Sequence, residues 1–195
     1  MKTAILKWMI LPSVLLAGCG NGTTGGNDLD GTWETPCVAL PMQQLYAKTR
    51  LVYSSLSLTG TFSDYADAAC TKGMGVSTWT GTATVGGPAA AAAATQLDLT
   101  FDTYKYEPLS DQAAAVNNMY KYCGISDWTA KVEKDVLDHP CNGFAIPTAG
   151  KSLDIYKVEG SSLKFGKGAK ISAAPAESDR PTVLDDTRAF NRVGQ

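Results

Sequence analysis

The side chains that most often carry acid–base or metal chemistry are few in this chain. Its only histidine, His139, follows Asp138 directly. Ser-His-Asp catalysis and His-based metal sites are hard to build from one imidazole, so a turn histidine held by its neighbours is the simpler interpretation. Carboxylate pairs stand at Asp135/Asp138 and at Asp185/Asp186, but neither pair has the spacing of a calcium loop. Solvated turn carboxylates are the commoner explanation for such pairs.

The remaining chemical motifs are also missing from the sequence. It contains no Gly-x-Ser-x-Gly motif and no Gly-rich phosphate loop between a strand and a helix. A formal net charge of −2 provides no electrostatic footprint for nucleic acid. We therefore expect a protein that is not an enzyme, holds no metal or cofactor and has no nucleic-acid partner.

The amino terminus has the composition of an export signal. Lys2 and Lys7 precede an apolar run over residues 8–17. Ten helical residues rise about 15 Å, which is half of a hydrocarbon core, so the run is too short to cross a membrane. It has the length of the apolar region of a signal peptide.

Leu16-Ala17-Gly18-Cys19, which follows this run, resembles the lipobox of bacterial lipoproteins. The resemblance implies cleavage after residue 18, a diacylglycerol thioether on Cys19 and an N-acyl chain on the new amino terminus, which together form a membrane anchor. By the same resemblance, Gly20 in place of Asp favours the outer membrane. An ordinary secretory cleavage site beside a chance cysteine is the alternative.

The chain therefore divides into a signal peptide at 1–18, a lipidated cysteine with a flexible tether at 19–28, and a single domain at 29–195. Residues 20–27 are Gly, Asn and Thr only. Eight such residues have an r.m.s. span of about 15–17 Å. The sequence thus predicts a domain held just above the lipid headgroups of a cell envelope, on the periplasmic or the surface face.

Four cysteines remain after Cys19 is assigned to lipid: Cys37, Cys70, Cys123 and Cys141. An even number of cysteines in an exported chain is typical of disulfides, here with three possible connectivities. We favour the sequential pairing because it closes the shortest loops. Free buried thiols and a four-thiolate zinc site are the alternatives, although the spacings lack a Cys-x2-Cys pair.

Alternation of apolar and polar residues dominates the domain. It is clearest over residues 76–85, where Trp79, Gly81, Ala83 and Val85 share one face opposite threonines. Further strands are predicted at 31–37, 50–63, 96–107, 127–136, 152–158, 162–165 and 188–193.

One helix is predicted, over residues 110–122, with Ser110 as its N-cap and Gly124 beyond its end. An apolar stripe on it is expected to be buried, with a partner-binding face as the alternative; it consists of Ala113, Val116, Met119 and Tyr120. Seven or eight strands with one helix predict an all-β domain closed as an antiparallel barrel, with a sandwich as the alternative.

Gly31-Thr32-Trp33 at the start of the first strand resembles the Gly-x-Trp motif of lipocalins. The resemblance implies a lipocalin-like (calycin) barrel in which Trp33 plugs the closed end and an arginine of the last strand, Arg188 or Arg192, packs over its ring. Scattered positions up to the terminal strand also resemble small bacterial outer-membrane lipoproteins with such a barrel. This likeness implies a fold rather than an activity. The helix before the last strands departs from the usual lipocalin plan.

Aromatic side chains could line a ligand cavity in such a barrel; the candidates are Trp79, Trp128, Phe101 and Tyr104. The simpler alternative is that the rings fill the core. We expect a membrane-anchored protein that binds a small apolar or amphipathic ligand without catalysis. A structural platform for an envelope protein is the alternative.

Overall fold

The computed structural model describes residues 28–40, 44–89, 93–141 and 145–194. The predicted signal peptide, Cys19 and the tether up to residue 27 lie outside the described residues. Among those described, no helix is long and apolar enough to cross a membrane.

The described residues form eleven strands and one α-helix. The strands are β1 (Gly31–Glu34), β2 (Val38–Leu40), β3 (Leu45–Ser54), β4 (Ser57–Tyr65), β5 (Gly73–Pro88), β6 (Thr95–Pro108), β7 (Lys134–Asp135), β8 (Lys151–Glu159), β9 (Ser162–Gly166), β10 (Ile171–Ser172) and β11 (Leu184–Val193). The helix α1 spans Asp111–Tyr120.

Eight of these strands close into an antiparallel barrel in the order β1-β3-β4-β5-β6-β8-β9-β11, and β11 pairs again with β1. The strands β2, β7 and β10 add to β3, β6 and β8 outside the ring. The prediction of an all-β domain with one inserted helix is confirmed, and the barrel rather than the sandwich is the closure. This architecture is compatible with a lipocalin-like fold.

The predicted alternation decides which residues face the lumen. On β5 the buried positions Ser77, Gly81 and Ala83 alternate with exposed or half-buried threonines. Each pairs with an inward-facing residue of β6, as Gly81 does with Phe101. The register shifts by one residue between Phe101 and Thr103, so the inward residues of β6 are odd-numbered up to Phe101 and even-numbered from Tyr104 onward.

The single strand predicted over 50–63 is a hairpin of two strands. The chain turns at Ser55 and Leu56, which both adopt left-handed backbone conformations with φ of 49° and 71°. Neither residue is the Gly or Asn that usually marks such a turn, so local sequence gave no signal for it.

The strand predicted over 127–136 is wrong except at β7. Its apolar residue Trp128 is buried without strand pairing, because the Asn118 side chain bonds both the N–H and the C=O of Trp128.

The predicted disulfide network is present, with Cys37 bonded to Cys70 and Cys123 bonded to Cys141. The second bond fixes the segment that replaces the strand.

The helix begins as predicted, with the Ser110 hydroxyl accepting from the N–H of Ala113, and it ends two residues earlier than expected. The predicted buried stripe is wrong. Ala113 is buried, but Met119 and Tyr120 are 67% and 73% exposed. The helix turns the half-buried Asn117 toward the barrel instead.

Candidate functional site

The closed end of the barrel is built around Trp33. Its indole is fully buried and donates to the carbonyl of Leu29 at 2.7 Å. The guanidinium carbon of Arg192 lies 4.1 Å from the ring centre, within the range of a cation–π contact. Arg192 also donates to the carbonyls of Asp28 and Asp30 at 2.9 and 2.6 Å. The chain therefore enters the barrel at this end, where Arg192 holds it.

Arg188 does not take part in this closure, so only one of the two proposed arginines covers Trp33. Its side chain is 60% exposed, and its nearest carboxylate is that of Asp185 at 3.9 Å. Arg188 shares the inward phase of Arg192 on β11 but lies four residues earlier. That position is about 13 Å along the strand, toward the opposite end of the barrel.

The lower lumen is filled by aromatic rings that lie against small residues. The ring of Trp79 occupies the space above Gly60, where any side-chain carbon would overlap it. Its centre is 6.3 Å from that of Tyr104. Buried side chains fill the space below; they are Leu51, Tyr53, Leu58, Leu97, Tyr156, Leu163 and Phe190. The inward glycines therefore accommodate rings at these positions.

Two polar groups are buried in this lower lumen. The Tyr53 hydroxyl has no hydrogen-bond partner among the described residues. Asp154 is 6% exposed, and its Oδ1 accepts from the N–H groups of Ile155 and Gly166 at 2.7 and 2.9 Å. Burial raises the pKa of Asp154 to about 6, although these hydrogen bonds and nearby arginines oppose the shift.

The opposite end of the barrel is its mouth, where the C-terminal half of β6 leaves β8 and pairs with β7. The segment between β6 and β8, which we call the cap, packs on the inward face of β6 there. Tyr106 packs there in a buried cluster with Cys123, Trp128 and Val136 of the cap.

Trp128 thus lies in the cap and not in the barrel lumen where the sequence analysis placed it. Its ring is 5.3 Å from that of Tyr106, and its indole nitrogen donates to the carbonyl of Tyr122 at 3.1 Å. Phe101 is a buried inward residue of β6, and Trp79 and Tyr104 are half-buried inward residues below the mouth. Three of the four proposed lining residues therefore share the lumen.

His139 also belongs to the cap. Its Nδ1 lies 2.9 Å from the carbonyl oxygen of Cys123, so the ring braces the disulfide-bonded turn. Asp138 accepts from the N–H and the hydroxyl of Thr148 at 2.8 and 2.6 Å. Both side chains therefore hold turns, which agrees with the structural interpretation of their sequence neighbourhood.

A carboxylate that the sequence analysis overlooked faces the mouth from β4. Asp64 continues the inward phase of Leu58, Gly60 and Phe62, and that alternation could have identified it. Among the described residues its carboxylate has no hydrogen bond and no ion pair. Burial raises the pKa of Asp64 to about 6.

The neighbours of Asp64 across the sheet are Ala47 on β3 and Gly75 on β5. These residues carry a single side-chain carbon between them. The Tyr106 hydroxyl lies directly over Gly75, where a side-chain carbon would overlap it. Tyr106 therefore reaches across β5 toward Asp64.

Asn117 of α1 completes this arrangement. Its side chain lies close enough to Tyr106 to influence the pKa of that hydroxyl, and its Nδ2 is buried with no hydrogen-bond partner among the described residues. Tyr104 and Tyr122 lie close enough to Asp64 for its charge to raise their pKa values, although burial is the larger cause. We call these five residues the mouth cluster: Asp64, Tyr104, Tyr106, Asn117 and Tyr122.

A separate depression of about 170 Å³ lies on the outer face of β1, β3 and β4. Its charged residues already pair, since Glu34 contacts Arg50 at 3.0 Å and Lys48 at 3.7 Å. It faces away from the lumen and shares no residue with the mouth cluster. The mouth cluster therefore remains the better candidate, because it contains both an unpaired donor and an unpaired acceptor.

No protein-family model matches this chain, and no curated protein is similar to it in sequence.

Proposed function

We propose that this chain is a lipid-anchored protein of the bacterial cell envelope whose lipocalin-like barrel binds a small amphipathic ligand at its mouth, without catalysis. The observation that carries the proposal is the mouth cluster, which holds a half-buried carboxylate and a buried amide nitrogen that both lack a partner. Asp64 has no partner for its carboxylate, and Asn117 has none for its Nδ2 among the described residues.

The unpaired Asn117 Nδ2 costs free energy, since a buried donor left unsatisfied costs about 1–3 kcal/mol. A native fold that retains such a donor near an unpaired carboxylate is consistent with a bound molecule that satisfies both. Ligand sites typically combine apolar and aromatic walls with a few convergent polar groups. The mouth cluster has this composition, with Trp79 below it and Trp128 beside it.

The proposed location rests on the lipobox and on the disulfides. The two disulfides favour an oxidising compartment outside the cytoplasm. The described chain begins at Asp28, which Arg192 and Tyr156 hold at the closed end. An anchor at Cys19 would therefore turn the closed end toward the membrane and leave the mouth facing solvent.

The test of ligand binding uses the full chain, extracted from membranes in a mild detergent and immobilised. It is incubated with a small-molecule extract of the envelope, washed, and eluted with organic solvent for mass spectrometry. The matched control is the same immobilised protein after reduction and unfolding in urea. We expect compounds that are enriched on the folded protein only, and equal recovery from both samples would contradict the proposal.

The platform function is a second candidate, and exposed apolar residues on α1 favour it. Val116, Met119 and Tyr120 are 40%, 67% and 73% exposed and lie at the mouth end, away from the proposed anchor. A photo-crosslinker at position 119 should then capture an envelope protein that the same crosslinker at Thr59, an exposed position of β4, does not capture. Tyr120→Asp should abolish the adduct, and its persistence in that variant would contradict this candidate.

A further inference from the structure

We infer that the mouth cluster binds the positively charged head of an organic amine, with the Asp64 carboxylate as its counter-ion. This inference rests on the proposed function and deepens it by naming the chemical class of the ligand. The observations behind it are the unpaired Asp64 carboxylate, the small residues beside it and the tyrosines near it.

The charged side chains that face the barrel interior are few and include both signs. Asp64 and Asp154 are its inward carboxylates, whereas the five lysines of the barrel strands occupy outward positions; these are Lys48, Lys105, Lys151, Lys157 and Lys164. Of the two inward arginines, Arg192 is engaged at the closed end and Arg188 is largely exposed. No cationic side chain pairs with Asp64 among the described residues.

Small residues and a tyrosine hydroxyl flank Asp64. Its neighbours across the sheet, Ala47 and Gly75, carry one side-chain carbon between them. The Tyr106 hydroxyl stands over Gly75 and presents an oxygen that can accept from an ammonium. Hydrogen bonds to a charged group are about twice as strong as neutral ones.

The surrounding rings favour an organic cation over a metal ion. The rings of Tyr106 and Tyr122 lie 4.8 Å apart, and aromatic faces attract ammonium groups by the cation–π effect. Calcium needs about six to eight oxygen ligands, and no group of three or more potential metal-ligating side chains is present in the part of the chain that is described. The unpaired Asn117 Nδ2 would donate to an acceptor oxygen elsewhere on the same ligand.

The experiment compares three probes that share a phenylethyl body and differ in the charge of the head group, on the full chain in mild detergent. They are 2-phenylethylamine, 2-phenylethanol and 3-phenylpropanoate, titrated by calorimetry at about pH 7.5, where Asp64 is ionised. We expect the amine to bind at least about tenfold more tightly than the alcohol or the acid. Equal or weaker binding of the amine overturns the inference.

Asp64→Asn should remove this preference while leaving the fold intact, because Asn keeps the shape and removes only the unpaired charge. Asp102→Asn is the matched control, since it removes the same charge from an exposed position of β6. Amine affinity that survives in Asp64→Asn overturns the inference, and equal loss in both variants does so as well.

The pH dependence gives an independent readout. Asp64 has a pKa raised to about 6, and the groups that face it are Tyr104, Tyr106 and Tyr122, which stay neutral in this range because their pKa values are raised too. Amine affinity should therefore fall as pH drops from about 7.5 to about 5. Unchanged affinity across this range overturns the inference.

The experiments distinguish a failure of the amine inference from a failure of the proposed function. Binding of the alcohol or the acid in preference to the amine overturns the amine inference and leaves ligand binding standing. Failure of the folded protein to retain any compound from an envelope extract contradicts the proposed function itself.

Discussion

The guanidinium carbon of Arg192 lies over the buried Trp33 ring, 4.1 Å from its centre, and the guanidinium donates to the carbonyls of Asp28 and Asp30. One side chain thus joins the last strand, the first strand and the segment before it. This contact closes the barrel end that carries the amino terminus. The other end carries the cap between β6 and β8.

Arg192→Ala should lower the free energy of unfolding by about 2–3 kcal/mol, because it removes a cation–π contact and two charge-assisted hydrogen bonds. Urea unfolding at neutral pH without reductant measures the change. Arg188→Ala is the matched control on the same strand and should change stability by less than about 0.5 kcal/mol, since that side chain is largely exposed. Equal losses in the two variants would show that Arg192 has no special part in closure.

Gly60→Ala should destabilise the barrel, because the added methyl group would overlap the Trp79 ring. Overpacking of this kind costs about 1–3 kcal/mol. Gly87→Ala, where nothing lies within 4 Å of the added carbon, should be nearly neutral. In the double variant Gly60→Ala/Trp79→Ala the added methyl should cost little, as chemical denaturation would show. A full cost in that background would mean that the ring does not occupy the space above Gly60.

Asp64→Asn should stabilise the protein at about pH 7.5 by roughly 2 kcal/mol and have little effect near pH 4. Burial raises the pKa of Asp64 from 3.8 to about 6. The folded state therefore binds more protons than the unfolded state between these values. The contribution of Asp64 to the unfolding free energy must then fall as pH rises through this window and stay constant above it.

Urea titrations of wild type and Asp64→Asn at a series of pH values measure this difference directly, because the other titrating groups cancel. Asp102→Asn should show no comparable dependence, since that carboxylate is exposed. A stability difference between wild type and Asp64→Asn that stays flat from about pH 4 to 7.5 would show that Asp64 is not buried unpaired in the fold.

Cys19→Ala should release the chain from the membrane fraction and remove the added lipid mass. Acyl chains contribute about 0.8 kcal/mol per buried methylene, so two or three chains hold a protein on a bilayer. Fractionation followed by intact-mass measurement provides the readout, with Thr23→Ala as the control. A Cys19→Ala protein that keeps both its membrane association and its lipid mass would show that the lipobox assignment is wrong.

Much of the barrel could be predicted from the sequence because its strands alternate strictly. The phase that puts Trp79, Gly81 and Ala83 on one face is the phase of the lumen. The sequential disulfides followed from loop length alone. The turn at Ser55 and Leu56 could not be predicted, since tertiary pairing of β3 with β4 imposes left-handed backbone on residues that rarely adopt it.

The cap was harder to predict because its contacts are polar and distant in sequence. Asn117 faces the barrel to meet Tyr106, and Asn118 replaces a strand ladder by bonding the backbone of Trp128. The apolar Met119 is consequently turned outward. The apolar stripe alone therefore predicted the wrong buried face of the helix. The mouth cluster depends on Asn117, so it was not predicted either.

The most direct test of a ligand at the mouth is native mass spectrometry of the gently extracted full chain, wild type beside Asp64→Asn. The account predicts a wild-type species that carries a dissociable small molecule in addition to its covalent lipid. It predicts that this species is reduced or lost in Asp64→Asn. Wild-type protein that shows only the mass of the lipidated chain, or a bound molecule retained equally by both proteins, would contradict it.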